Sequence, residues 1–158
     1  INVSNYEAEE FLNSYFAKFP EIKVYMDQTI KFCRKSGYVN NIFGRKSHFI
    51  NINDKNFNVR NFQERAAINA PIQGSAADII RLAMIEIDKV IEIEKKITAK
   101  MLLQIHDELV FESSIKDKKN NEKLIKKVMS SVSSTDHHMF SIPLEVNVNS
   151  GYNWGEAH

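Results

Sequence analysis

Apolar positions between Tyr6 and Lys35 recur at intervals of three and four, which is the spacing of one face of a helix. Pro20 divides this pattern, and proline ends a helix or begins the next one. The spacing therefore predicts two helices that meet at Pro20. Beyond them, apolar residues alternate on either side of the turn-forming pair Asn40-Asn41, which predicts a short hairpin near residues 37–49.

A second helical pattern begins at Val59 and is interrupted by Pro71. The sequence from Ser75 to Asp78 has the form of a capping box, in which a serine oxygen and a carboxylate three residues later satisfy free amides of a first helical turn. A single apolar stripe then runs from Ile79 to Ile91. We therefore expect a long helix to follow the interruption and to begin at the capping box.

The remaining patterns predict strands as well as a helix. Two apolar runs joined by His106-Asp107 fill residues 100–112, which predicts a tight hairpin with this pair at its tip. An amphipathic pattern predicts a helix from about Glu122 to Ser134. Regular alternation of apolar and polar residues from Leu144 to Val148 predicts a last, half-buried strand. These elements together predict an α+β fold.

Composition changes this picture little. The chain has 158 residues, of which 43% are hydrophobic and 26% charged, and such values are ordinary for a domain that folds in water. No apolar run approaches the roughly 18 residues that a membrane span requires, and a single cysteine, Cys33, excludes an internal disulfide. We therefore expect a soluble, cytoplasmic protein with no membrane partner.

Charge is unevenly distributed along the chain. Residues 31–60 contain seven lysines and arginines against one acid, Asp54, although the net charge of the whole chain is only +1. Such a stretch indicates a surface that faces phosphates, but a solvated basic face has the same composition. Charge alone leaves both interpretations open.

The candidate chemistry lies at the tip of the second hairpin. A carboxylate placed there is held by a rigid sheet and projects into solvent, which is the arrangement that a hard divalent cation needs. Because consecutive strand residues point to opposite faces, Asp107 and Glu108 need not bind one ion together, and Asp107 is the favoured ligand. Aspartate is also common in turns for structural reasons, so the residue types by themselves leave the function open.

The nine residues from Gln104 to Glu112 closely resemble motif C of family A DNA polymerases, in which His-Asp-Glu lies on a hairpin of the palm domain. The resemblance implies a DNA-directed DNA polymerase that uses two Mg²⁺ ions, a DNA primer-template and deoxynucleoside triphosphates. It also implies that Asp107 binds metal, that Glu108 supports catalysis and that His106 lies near the primer terminus.

A second block, Glu64 to Asp78, resembles the family motif that leads into a long helix facing the palm. Arg65, Asn69 and Gln73 recur every four residues, so they share nearly one helix face if the helix continues past Pro71. By resemblance they contact the primer-template, and their donors suit the minor-groove acceptors that every base pair presents. The alternative is that they cap a break at Pro71 and bond local carbonyls.

The resemblance extends to both ends of the chain. Gly44-Arg45-Lys46 resembles a fingers element that ends in Gly-Arg-Arg, and Lys46 keeps the charge of the second arginine but not its planar fork. The ending from Glu145 to Trp154 and the terminal His158 resemble the family's C-terminus, which implies that His158 lies near the site. The implied organisation is a helical fingers portion, 1–73, and a partial palm, 74–158, that contains the 100–112 hairpin and the C-terminal strand.

Several parts expected of the family are missing from the sequence. It has neither an Asp-Tyr-Ser motif for the second metal-binding aspartate nor the fingers helix that contacts the incoming nucleotide. The chain is therefore interpreted as a C-terminal fragment that needs the missing upstream polymerase domains. Two metal ions about 3.5–4 Å apart carry this chemistry, so we expect the isolated chain to be inactive and, with an unpaired strand edge, to self-associate.

Three other functions make different demands on the sequence. A phage-type RNA polymerase shares the His-Asp hairpin but usually has serine next, so Glu108 favours the DNA enzyme. Another metal-dependent phosphotransferase or nuclease should offer further clustered acids. A non-catalytic nucleic-acid-binding module should bind duplex strongly after Asp107→Ala and without magnesium. His137-His138 has no second pair at ligand spacing, so we expect no zinc site.

Overall fold

A computed structural model describes residues 4–93, 95–132, 134–135 and 138–157. The chain divides into two compact units, Ile1–Gly74 and Ser75–His158. In chain order the elements are α1 (Asn5–Lys18), α2 (Pro20–Ser36), β1 (Tyr38–Asn40), β2 (Lys46–His48), α3 (Phe57–Glu92), β3 (Lys100–Ile105), β4 (Glu108–Glu112), α4 (Lys118–Ser131), β5 (Ser134–Thr135), β6 (His138–Met139) and α5 (Trp154–Ala157). The expected α+β class is confirmed.

The first two helices meet at Pro20, as the apolar spacing predicts. Ser4 caps α1, because its hydroxyl accepts from the Glu7 amide at 3.3 Å while the Glu7 carboxylate accepts from the Ser4 amide at 2.9 Å. Pro20 begins α2 at a position where the missing amide proton costs no helical hydrogen bond. Gly37, with φ 77°, ends α2 in the left-handed conformation that glycine adopts without strain.

The hairpin expected near residues 37–49 is also present. β1 and β2 are antiparallel, with Tyr38 opposite His48 and Asn40 opposite Lys46. Val39 points to the other face of β1 and is buried. The core of this unit consists of Cys33, Val39, Ile52 and Ala67, with Phe49 and Ala70 packed against it.

The expected break before Ser75 is wrong, because α3 runs without interruption through Pro71. Proline removes the bond that residue 71 would give to the Ala67 carbonyl, and its ring crowds that carbonyl. The Tyr25 hydroxyl donates to the next carbonyl, that of Ile68, at 2.8 Å and stabilises the helix beside this gap. Ser75 and Asp78 consequently lie inside α3, where both are buried, and do not form an N-terminal capping box.

The second unit packs around Ile87, Ile97, Ala99 and Ile125, which are supplied by α3, the segment before β3, and α4. The helix predicted from about Glu122 to Ser134 is instead Lys118–Ser131. The earlier start brings Asn121 into the helix, where its side chain is buried. The Asn121 side chain donates to the Ser113 hydroxyl at 2.8 Å and accepts from the Thr98 amide at 3.1 Å.

The predicted strand from Leu144 to Val148 is wrong as a paired strand, because this segment has no ladder partner among the described residues. Leu144, Val146 and Val148 are half-buried and the residues between them exposed, so the predicted alternation is present without the pairing. The sequence prediction also missed β5 and β6, which form a short antiparallel pair. His137 and His158 lie outside the described residues.

Within the described ranges, no helix combines the length and the apolar character that crossing a bilayer would require.

Candidate functional site

His106 and Asp107 form a two-residue loop between β3 and β4, because Ile105 and Glu108 are the last paired residues of the two strands. His106 has φ 52°, a left-handed conformation in which histidine, asparagine and aspartate are enriched among residues other than glycine. The Gln104 side chain donates to the His106 carbonyl at 2.9 Å and braces the turn. The predicted position of the His-Asp pair at the tip is confirmed.

The carboxylate at this tip is open to solvent. His106, Asp107 and Glu108 are all exposed. The Asp107 side chain has no hydrogen bond or ion pair to another described residue, so nothing in that part of the chain competes for its oxygens. A burial of Asp107 under other side chains would have contradicted the interpretation of this residue as a ligand, and the structure shows no such burial.

The hairpin below the tip is anchored in the second core. Met101 on β3 and Leu109 and Phe111 on β4 pack against the cluster that contains Ile87 and Ile125. A register shift lies between Met101 and Leu103, and such a bulge increases the local twist of the strand. The carboxylate is therefore displayed on an element whose base is fixed by packing.

The donor chemistry of this site fits a hard divalent cation, but one carboxylate is not a complete coordination sphere. Mg²⁺ is commonly bound through one or two carboxylates together with water and substrate phosphates. No three His, Cys, Asp or Glu residues of the described ranges are close enough together to hold a metal ion. Asp107 can contribute oxygen ligands, and the remaining ligands must come from other groups.

A second set of predicted residues lies on α3. Arg65, Asn69 and Gln73 are exposed, and because α3 is continuous each follows the previous one after a rotation of only about 40°. None of the three side chains bonds a described residue, so the alternative in which they satisfy carbonyls around Pro71 is not observed. The structure thus places three polar side chains along one open helix face.

The sequence analysis missed a contact that ties the first hairpin to α3. Asn41 is 8% exposed, and its side-chain oxygen accepts from the amides of Phe43 and Arg45 at 3.0 and 2.9 Å. Its side-chain nitrogen donates to the Gly74 carbonyl at 3.1 Å. Gly74 directly follows Gln73, so this turn fixes the α3 backbone beside a predicted DNA-contacting residue. The only signal in the sequence was an asparagine in a turn.

The two basic residues of the hairpin have different surroundings. The Arg45 guanidinium also donates to the Gly74 carbonyl, at 3.2 Å. Lys46, which replaces the second arginine of the family pattern, places its ammonium 4.4 Å from the centroid of the Tyr38 ring. A lysine makes this cation–π contact without the planar fork of arginine.

Comparisons with known proteins agree with the resemblance that the sequence motifs show. The family model for DNA polymerase family A matches residues 1–156. DNA polymerase I of Streptococcus pneumoniae is 42% identical over 99% of this chain, and that of Caldicellulosiruptor bescii is 40% identical over 99%. The chain spans only 17% and 18% of the length of these two relatives.

A solved structure agrees with the sequence relatives. The POL domain of Pol1 from M. smegmatis, in complex with DNA primer-template and dNTP, superposes with a TM-score of 0.89. It is 37% identical, and the match covers 98% of this chain and 26% of that one. The resemblance of the motif C hairpin is thereby confirmed, and the phage-type RNA polymerase alternative is wrong. This chain belongs to DNA polymerase family A.

Proposed function

We propose that this chain is the part of a DNA-directed DNA polymerase that carries one of its two metal-binding aspartates. The observation that supports this most strongly is the exposed Asp107 carboxylate at the apex of a core-anchored hairpin, in a chain of this family. The proposed substrates are a DNA primer-template and deoxynucleoside triphosphates, because the similar M. smegmatis domain was solved in complex with DNA primer-template and dNTP.

Each residue at the tip has a proposed role. Asp107 holds Mg²⁺, and in the intact enzyme two such ions neutralise charge on the phosphates during transfer. The rigid hairpin supplies the positioning on which phosphoryl transfer depends. Glu108, at the first paired position of β4, supports the site, and His106 lies near the primer terminus. These roles require an upstream aspartate that this sequence does not contain.

Arg65, Asn69 and Gln73 are proposed to contact the primer-template in the minor groove. Their exposure on one continuous helix face supports this assignment, because donors in a row can follow successive base pairs. Every base pair presents an acceptor there, so such contacts report pairing geometry without reading the sequence. In this scheme residues 1–73 are the fingers portion and 74–158 the palm portion. We place the intact enzyme in the cytoplasm, with the DNA that it copies.

The proposal is tested by supplying the missing upstream polypeptide, in trans or as a fusion, and measuring primer extension. Asp107→Asn keeps the shape of the side chain and removes its charge. Metal ions supply several kcal/mol of transition-state stabilisation, so we expect at least about a 100-fold loss of rate. Glu112→Gln removes an exposed acid from the other end of the same hairpin and should leave the rate unchanged.

Equal rates for the Asp107→Asn variant and the parent would refute the assignment of the metal ligand. The isolated chain is expected to incorporate no nucleotides, because one carboxylate cannot assemble the metal pair. Incorporation by a preparation shown to be free of other polymerases would contradict that expectation. Duplex binding that needs neither magnesium nor Asp107, with no synthesis after complementation, would support the non-catalytic binding module instead.

Self-association of the isolated chain is proposed on a separate observation. Among the described residues β3 pairs only with β4, and Leu102 and Leu103 on β3 are 52% and 54% exposed. An unpaired edge with apolar side chains is a template for pairing with another chain. Light scattering should show an average mass that rises with protein concentration. At the same concentration the mass of Leu103→Lys should be lower than that of the parent chain. A monodisperse monomer at high concentration would count against this proposal.

A further inference from the structure

An open groove of about 280 Å³ lies in the first unit, between α2, β1 and the α3 segment at Pro71. Its walls include the apolar ring of Phe32 and three polar side chains, Gln28, Thr29 and Asn40. Typical small-molecule pockets occupy about 300–1,000 Å³, so this groove suits a single flat ring system. The polar side chains offer both donors and acceptors to the edge of such a ring.

Aromatic and basic side chains lie beside the groove wall at Phe32. Phe32 is 46% exposed and meets the Tyr38 ring edge-on, with centroids 5.7 Å apart. His48 lies across the hairpin from Tyr38, with centroids also 5.7 Å apart. The Lys46 ammonium sits 4.4 Å from the Tyr38 centroid and, like the His48 ring, is exposed. The hairpin thus holds a cation and aromatic faces next to an apolar cleft.

Charged residues lie at both ends of the α2 face that borders the groove. None of the residues that line it is acidic. Lys35 lies three residues after Phe32 and seven after Gln28, which places it on the same side of α2. Glu21, seven residues before Gln28, lies on that side too but in the first turn of α2, so the positive charge of Lys35 and Lys46 is at the Phe32 end of the groove. A basic surface interleaved with aromatic rings is the combination that proteins use to bind single-stranded nucleic acids, in which phosphates and base faces are both accessible.

We propose that this groove binds an unpaired nucleobase of single-stranded DNA. The base stacks on Phe32 with its edge toward Gln28, Thr29 and Asn40, and the neighbouring phosphate is held by Lys46. A duplex does not fit this description, because its base faces are stacked and unavailable. The inference goes beyond the proposed polymerase function, since it needs neither Asp107 nor the row Arg65, Asn69 and Gln73.

The probes are two fluorescein-labelled oligomers of about six nucleotides, oligothymidylate and an abasic oligomer with the same phosphates. Fluorescence anisotropy with the chain should show binding of oligothymidylate that is about tenfold tighter than that of the abasic oligomer. Phe32→Leu should abolish this difference and leave abasic binding unchanged. Lys46→Gln should weaken both oligomers and flatten the dependence of affinity on salt.

Matched variants outside the groove separate local from general effects. Phe57 is an exposed aromatic residue beside another cation, with the Arg60 guanidinium 5.6 Å from its ring. Phe57→Leu and the exposed α2 substitution Lys23→Gln should each leave the preference for oligothymidylate intact. Circular dichroism confirms that each variant is folded before it is compared.

Equal affinity of the parent chain for the two oligomers would overturn the proposal, because phosphate attraction alone would then explain binding. An unchanged base preference in Phe32→Leu and in a second variant, Asn40→Ala, would overturn it as well. Gln73→Ala should weaken primer-template duplex only and leave oligothymidylate unaffected. Failure of the groove and failure of the proposed polymerase function are therefore distinguishable.

Discussion

Removal of the Asn41 side chain should destabilise the first unit more than its size suggests. In Asn41→Ala the amides of Phe43 and Arg45 lose their acceptor and the Gly74 carbonyl loses a donor. An unsatisfied buried polar group costs about 1–3 kcal/mol. Phe43 is half-buried and Arg45 exposed, so water replaces much of the two amide bonds; we assign about 1 kcal/mol to the amide pair and about 1 kcal/mol to the Gly74 carbonyl, both at the lower end of the range. The expected loss is about 2 kcal/mol in the free energy of unfolding.

A second variant divides this loss between its two parts. Asn41→Asp keeps the acceptor for both turn amides but replaces the donor to the Gly74 carbonyl with a carboxylate oxygen. The Arg45 guanidinium, which is 3.2 Å from the same carbonyl, stays in place to compensate the new charge. We therefore expect about 1 kcal/mol, roughly half the effect of alanine. Asn40→Ala is the matched control, since Asn40 is the exposed neighbour of the same residue type.

Urea unfolding followed at the buried Val39 amide reports on this unit. With a slope of about 2 kcal/mol per molar urea, Asn41→Ala should lower the midpoint by about 1 M. Asn40→Ala should shift it by no more than about 0.3 M, because exposed substitutions stay within about 0.5 kcal/mol. Equal midpoints for Asn41→Ala and Asn40→Ala would show that the turn does not depend on this side chain.

Three further predictions follow from burial and capping. Ile87→Ala, at a fully buried position, should lower the free energy of unfolding by about 2–5 kcal/mol. Ile85→Ala should lower it far less, because Ile85 is 45% exposed. Similar urea midpoints for the two variants would contradict the assigned core. Burial raises the pKa of the Cys33 thiol, so iodoacetamide should label the native chain much more slowly than the urea-unfolded chain, and equal rates would exclude that burial. Hydrogen bonds from Ser4 lower the pKa of the Glu7 carboxylate. These bonds should therefore stabilise α1 fully above the ordinary glutamate pKa, and the stabilisation should be lost as the pH falls through the lowered pKa. Helicity that depends on pH in the same way in Glu7→Gln as in the parent chain would refute this.

Local sequence signals correctly predicted the elements that depend on interactions between neighbouring residues. Pro20 separates α1 from α2, and the two-residue tip between apolar runs forms the β3–β4 hairpin with Asp107 exposed. Both depend on backbone rules that act over a few residues. The same rules predicted the spacing of Arg65, Asn69 and Gln73, and the structure shows the side chains to be open.

The sequence predictions are wrong where residues distant along the chain determine the local structure. Pro71 predicted a break, but Tyr25 supports the helix from another element and α3 continues. α4 begins before the predicted residue and includes Asn121, which is buried against Thr98 and Ser113, a contact that no helical period reveals. The alternation from Leu144 to Val148 predicted a strand, but pairing needs a neighbour that the described residues do not provide. Asn41 was missed because its partner lies on a distant helix.

The left-handed backbone conformation of His106 restricts which amino acids can occupy the turn, whatever chemistry occurs there. In a library randomised at this position, β-branched residues would be lost for steric reasons and histidine, asparagine and glycine retained. Enrichment of histidine would therefore not by itself demonstrate a role for the imidazole. Asparagine is the informative replacement, because it preserves the shape of the turn and lacks the imidazole.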